Sequence, residues 1–266
     1  MSSVRPAAVA GMFYPDDNRR LAHEVQQMLA RARQFDLVPK ALIVPHAGYI
    51  YSGAVAATGY ATLRPYAAQI RRVVLLGPTH RVAVRGLALP GVEAFETPLG
   101  RVMLDASAAA AIACLPQVAV SAEAHALEHS LEVQLPFLQS VLPDFTLLPL
   151  AVGIATAEEV AEVLEAVWGG VETLIVISSD LSHYLPYSDA QRADNETAQS
   201  ILKLRQPIAH DHACGGTPIS GLIIAAKQHH LTPHLLDLRN SGDTAGTRDR
   251  VVGYASFAFT EEGEQR

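Results

Sequence analysis

Three apolar runs in this chain each lead straight into a histidine. Residues 41–44 precede His46, residues 72–76 precede His80, and residues 174–178 precede His183. Runs this short and this continuously apolar suit strands covered on both faces, the condition of a parallel sheet layered with helices. Ligands and metals in such sheets sit in the crevice at the carboxyl ends of the strands. If the three strands are parallel neighbours, all three imidazoles reach one crevice. Imidazole is the commonest metal ligand and titrates nearest neutrality.

Helical patterns alternate with the strands. Asp16 or Asp17 can cap a helix whose apolar positions Leu21, Val25, Met28, Leu29 and Ala32 follow a 3.6-residue period. Ser52 is placed to cap a small-residue helix running to 61, and Asp105 one running to 113. Residues 128–141 read as a helix with Leu131, Leu135, Leu138 and Val141 on one face; Pro136 implies a kink or a late start. Residues 157–167, 190–204 and 219–230 also read as helices. Further strands are expected at 87–89, 145–150, 234–238 and 251–259, and the polar tail 261–266 reads as frayed. The alternation predicts a single α/β domain over 1–266, with a mixed, mostly parallel sheet and helices on both faces.

At 266 residues, 49% hydrophobic and 18% charged, the chain can bury a large core. A formal charge of -7 and the lack of any Lys/Arg run argue against nucleic acid as a partner. No stretch of about 18 apolar residues offers a membrane span, and the first residues lack the long apolar stretch of a signal peptide. A cytoplasmic location is the expectation. Two cysteines make no disulfide framework. Cys114, in an alanine-rich run, reads as a small buried residue.

Several segments can carry chemistry. His46 opens a loop with Gly48, Tyr49, Tyr51 and Gly53, whose glycines let backbone approach a ligand and whose tyrosines can line a pocket. Asp180, just before His183, can orient an imidazole or simply cap a helix. Glu128 and Glu132 are four apart, as are His125 and His129. On a helix each pair shares a face, so one glutamate can carry a proton and the histidines can chelate. Cys214 precedes a predicted helix, where a thiol is biased toward thiolate. Arg239 begins the dense turn cluster 239–246, which can position a substrate or be a plain loop.

Together these segments resemble the Memo family, whose bacterial and archaeal members are described as protein B of the AmmeMemoRadiSam system. The resemblance is carried by Ala10–Pro15, Pro45–Gly53, Leu76–His80, Phe95–Gly100, Glu128–Pro136, Ser178–Tyr184, Cys214-Gly215 and Asn240–Asp243. It implies a fold like the class III extradiol dioxygenases, which hold non-haem Fe(II) with two histidines and a glutamate. It also implies His46, His80 and Cys214 as metal ligands, with Asp180 and His183 close by. A cysteine in place of the glutamate departs from the dioxygenase set, and thiolate suits copper or iron in a redox role. Zinc is compatible with the same donors. A functional link to a radical-SAM protein is implied by the family description.

The leading expectation is therefore a metal-dependent redox enzyme. His46, His80 and Cys214 hold Fe(II) or copper, Asp180 orients or balances charge, His183 serves as acid/base, and Glu128 assists. A second expectation is a module that binds a small molecule or peptide through Tyr49, Tyr51 and Arg239. A third is a hydrolase with Cys214 as nucleophile and His183 as base.

Overall fold

The computed structural model describes residues 3–261, so the tail expected to fray lies, beyond Glu261, outside the described residues. Four strands form the centre of a nine-stranded sheet: β2 (Pro39–Val44), β9 (Thr173–Ser178), β3 (Arg72–Pro78) and β8 (Thr146–Val152). They lie side by side in that order and all pair in parallel. Their side chains are buried almost without a break. Successive side chains on a strand point to opposite faces, so one strand feeds two cores. Leu42, Val44, Val73, Leu75 and Val176 pack on one face, and Ala41, Ile43, Val74, Leu76 and Ile177 on the other. Each fully buried Leu, Ile or Val contributes roughly 1.5–3 kcal/mol.

The margins of the sheet are mixed. β12 (Val251–Glu261) runs antiparallel to β2 and carries β11 (Leu231–Asn240) outside it, while the short β10 (His183–Leu185) pairs with its start. On the opposite margin β4 (Leu87–Leu89) pairs antiparallel to β8 and parallel to β7 (Val118–Val120). A separate small sheet of β1 (Val4–Arg5), β5 (Ala94–Thr97) and β6 (Gly100–Met103) was not foreseen. Its strands are too short for a period to be read. The α/β class, the parallel centre and the helices on both faces are as expected.

Helices α1 (Asn18–Arg31), α2 (Ala54–Ala61) and α5 (Leu135–Val141) cover the first face. The other carries α3 (Ala106–Ile112), α6 (Ala157–Ala166), α7 (Tyr187–Leu202) and α8 (Gly216–Gln228); a short α4 (Ala122–Ala126) lies near β4. Asp17, rather than Asp16, caps α1 by accepting the Arg20 amide at 2.8 Å. Ser52 does not cap α2. Residues Tyr49–Gly53 form a π-helical turn that runs directly into it, and the Ser52 hydroxyl donates to the Ala47 carbonyl at 3.0 Å. Cys114 is exposed, not buried, because α3 ends at Ile112 and the run past it turns outward. Among the described residues no helix is long and apolar enough to cross a membrane.

The expected helix over 128–141 is the largest correction. Residues 127–131 are irregular, Glu132–Gln134 form a 3-10 turn, and α5 begins only at Leu135 with Pro136 in its first turn. Proline lacks an N–H and fits the start of a helix, not its interior. The late start frees the preceding residues to bend over the ends of the strands.

Candidate metal centre

Register brings the strand ends level. Val44 stands opposite Ser178, and Leu76 opposite Ile177. The residues that follow each strand, Pro45-His46, Thr79-His80 and Ser179-Asp180, therefore emerge at one edge. There His46 and His80 meet ring to ring, with centroids 5.2 Å apart. The third imidazole beside them is His129, from the irregular bend before α5, at 5.4 Å from His46 and 4.6 Å from His80. One ring nitrogen of each of His46, His80 and His129 lies within 4.8 Å of those of the other two, so the cluster can hold a metal ion. His125, expected to share a face with His129, does not join it. It is buried beside Phe95, and its Nε2 donates to the Ala88 carbonyl at 2.7 Å.

The outer nitrogens of the cluster are assigned by their partners. The Ser178 hydroxyl donates its one hydrogen to the Ser130 carbonyl at 2.5 Å. It can therefore only accept from His46 Nδ1, 2.9 Å away, and from Gln134 Nε2 at 2.8 Å. His46 thus carries its proton on Nδ1 and leaves the Nε2 lone pair free. His80 Nδ1 donates to Glu128 Oε1 at 2.8 Å, which frees its Nε2 in the same way. His129 Nδ1 faces the same carboxylate oxygen at 3.3 Å. Metal-binding histidines commonly donate their second nitrogen to a carboxylate or carbonyl, fixing tautomer and ring orientation.

Glu128 is a hub and not a free proton carrier. Besides the His80 ring it accepts the amides of His80 at 2.6 Å and of His129 and Ser130 at 3.0 Å each. Burial alone would raise its pKa; the His80 ring and the Ser130 and His80 amides outweigh it and bring the carboxyl down to about 2. Glu132 does not share a helix face with it. It lies on the 3-10 turn, fully buried, and pins the N-terminal segment. Its carboxylate accepts Arg5 Nη1 at 2.6 Å, the amides of Ala8 and Val9 at 2.8 and 3.0 Å, and the Tyr14 hydroxyl at 2.5 Å. That segment brings the Phe13 ring to 4.6 Å from His129.

The imidazoles of His46 and His129 are neutral at pH 7. Burial, reinforced by His129, His80 and His183, holds His46 well below the ordinary histidine value. Burial likewise brings His129 down to about 4, with His80 and Arg81 adding to it against Glu128. Neutral imidazole is the form that binds metal.

Cys214 reaches the cluster from the start of α8. Its Sγ is 3.3 Å from His46 Nε2. The thiolate expected from the helix start is not what its surroundings favour: burial first, then the Asp180 charge, push the thiol up to about 12. Asp180 sits beneath, its Oδ1 accepting the His46 amide at 2.7 Å, and it caps no helix. Burial raises its pKa to about 7 against the pull of that amide and of His80. His183 is half-buried, and burial lowers its pKa. Tyr184 beside it is 62% exposed and adopts φ 60°, a left-handed conformation rare for a bulky residue.

Of the three residues expected to touch substrate, Tyr51 is exposed beside the His46 loop. Tyr49 is buried and donates its hydroxyl to the Val133 carbonyl at 2.7 Å. Arg239 is paired with Asp237, Nε to Oδ1 at 3.0 Å. His129 is expected only as the partner of His125, and the structure instead sets it beside His46 and His80. Its signals were the spacing from His125 and the Pro136 that delays the helix.

Relatives are found along almost the entire chain. A family model described as Memo-like protein matches residues 5–258. A MEMO1 family protein of Aquifex aeolicus is 36% identical, covering 96% of this chain and 99% of that protein. Another, from Methanosarcina barkeri, is 35% identical over 96% of this chain and 99% of its own length. Among solved structures, the uncharacterized protein JW3007 from Escherichia coli K12 superimposes with a TM-score of 0.52 at 14% identity, covering 81% of this chain and 98% of that one. That likeness is one of fold.

Proposed function

The chain belongs to the Memo family, and from that premise we propose that it is a metal-dependent redox protein built on one mononuclear centre. A single observation carries the reading: three imidazoles converge with one ring nitrogen of each within 4.8 Å of the other two, and the Nδ1 of His46 and of His80 is already engaged elsewhere. His46, His80 and His129 hold the ion, and Cys214 stands beside His46 as a further donor. Imidazoles with one soft sulfur suit iron or copper, and zinc fits the same set. A bound ion supplies electron transfer or Lewis acidity. The chain's own residues do the rest. Glu128 and Ser178 hold the rings in place, Asp180 keeps a proton within reach of the His46 loop, and His183 accepts or returns one at the rim.

The test is elemental analysis of protein purified without added metal. Wild type is expected to carry close to one ion per chain, and His46→Ala and His129→Ala to lose it at least tenfold. Equal content in all three sinks the reading. Cys214→Ser is expected to keep metal but to shift the preference away from copper, since thiolate is the softer donor. An unchanged copper-to-zinc selectivity removes Cys214 from the ligand set.

A second reading, a module for a small molecule or peptide, is favoured by apolar residues left bare beside the histidines. Ile50 follows the His46 loop at 69% exposure, and Tyr184 follows His183. Thermal stabilisation by peptides, with indifference to metals and chelators, would select it.

A further inference from the structure

Cys214 has a second side. Away from His46 it forms part of the lining of a cavity of about 250 Å3 between the loops after β3 and β8 and the start of α8. Pro78, Val84, Val152, Ile154 and Pro218 make the walls apolar. Ile154 remains 72% exposed at its rim. Three polar side chains break that lining, Thr79, Thr217 and His210. None of them makes a side-chain hydrogen bond among the described residues, so each keeps donor or acceptor capacity for a guest. No Asp, Glu, Lys or Arg lines the cavity.

The wall is held by backbone. The Ile154 amide donates to Val84 at 2.7 Å, Gly86 to Ile154 at 2.8 Å, and Gly153 to Gly86 at 2.9 Å. At Gly153 the two segments come so close that a Cβ would lie 2.1 Å from the Val84 carbonyl oxygen. The hollow is half-open, and polar and apolar surface share it almost equally; unengaged polar groups beside apolar ones on fixed walls suit a small amphiphilic molecule.

We propose that this cavity binds a small, uncharged, amphiphilic molecule carrying one hydroxyl or carbonyl, with that polar head at Thr217 or Thr79 and its body against Cys214. As a substrate chamber it rests on the metal-centre reading; as a binding site it does not. Charged analogues are disfavoured because no Asp, Glu, Lys or Arg lines the cavity to repay whatever water an ion gives up there.

Ligand-observed NMR titration at pH 8 tests this with benzyl alcohol, benzoate and benzylamine, on protein as purified and again after removal of metal by a chelator. Benzyl alcohol is expected to bind, and the two charged probes at least tenfold more weakly. Ala83→Trp, at an exposed loop position on the cavity edge, is expected to abolish binding, and Thr217→Trp does so from the opposite wall if the first variant folds poorly. Thr217→Val is expected to weaken it about fivefold, the loss of one hydrogen bond. No binding to wild type, equal binding of the charged probes, or undiminished binding in both tryptophan variants overturns the proposal. Metal content of the same samples separates the two readings. Cavity-dependent binding in a protein that never carries metal sinks the metal centre alone. A full metal complement with no cavity-dependent binding sinks the cavity alone.

Discussion

The Ser178 hydroxyl has one hydrogen, and where it goes decides which nitrogen of His46 faces the cluster. Given to the Ser130 carbonyl, it forces the imidazole to donate from Nδ1. Glu128 makes the same choice for His80 through a carboxylate that can only accept. Neither residue is one of the three imidazoles, yet each sets which ring nitrogen of its histidine keeps a lone pair. Glu128→Gln and Ser178→Ala are therefore expected to lower metal affinity about ten- to a hundredfold while the fold persists. Competition against a chromogenic chelator measures this; affinities equal to wild type would show that the rings are held by packing alone. Cys214 marks the limit of what single residues disclose. Its place before a helix was legible, and with it the bias toward thiolate, but the burial that reverses that bias depends on segments far away in the chain.

Among the elements, the strands were legible and the bend before α5 was not. Three continuous apolar runs of β-branched and leucine residues have few other folds open to them, and their parallel adjacency followed. Residues 128–141 carry a helix-like apolar spacing, and over 128–134 the tertiary bonds of Glu128, Ser130, Glu132 and Gln134 override it. Such bonds leave no local signature, so the spacing pairs His129 with His125 and not with His46 and His80. The same turn ties down the N-terminal segment, and here a stability prediction belongs. Glu132→Ala leaves the Arg5 guanidinium buried without its carboxylate, expected to cost about 3–5 kcal/mol, and it should raise amide exchange at Ala8 and Val9 before the sheet is affected. Urea unfolding and hydrogen exchange check it; a loss below about 1 kcal/mol would mean that the segment is held by its apolar contacts. On the other face, α6 and α8 touch through Gly221, where a Cβ would lie 2.4 Å from Val160 Cγ1. Gly221→Ala is expected to destabilise by about 1–3 kcal/mol, with Val160→Ala restoring part of it in the double variant. Additive losses would place the strain elsewhere.

For the molecule as a whole, pH reports on groups buried far from bulk water. Asp194 in α7 is buried, and its Oδ1 accepts the Ser182 amide at 3.0 Å. Burial raises its carboxyl from 3.8 to about 6. A carboxyl that binds its proton more tightly when folded makes the fold more stable at low pH, so this contribution declines as pH rises from about 4 to about 6 and is flat above. Its full size is roughly 3 kcal/mol. Glu128, brought down to about 2, acts in the opposite sense: its contribution is complete above about 4.5 and fades toward pH 2. The difference in unfolding free energy between wild type and Asp194→Asn should shrink by about 3 kcal/mol as pH rises from about 4 to about 6, since the titrations of His46, His129 and Asp180 are common to both proteins; a difference that does not vary with pH would refute the assignment. The bend over 128–134 has one more consequence. Within seven residues it meets the His80 ring, adds His129, engages Ser178, anchors Arg5 and supports the loop of His46. A stretch whose neighbouring positions answer to four separate places in the chain has no slack in length. Insertion scanning should find that one added residue is tolerated in the exposed loops near 210 and 248, but that between Leu131 and Glu132 it unlatches the N-terminal segment and the histidine cluster together.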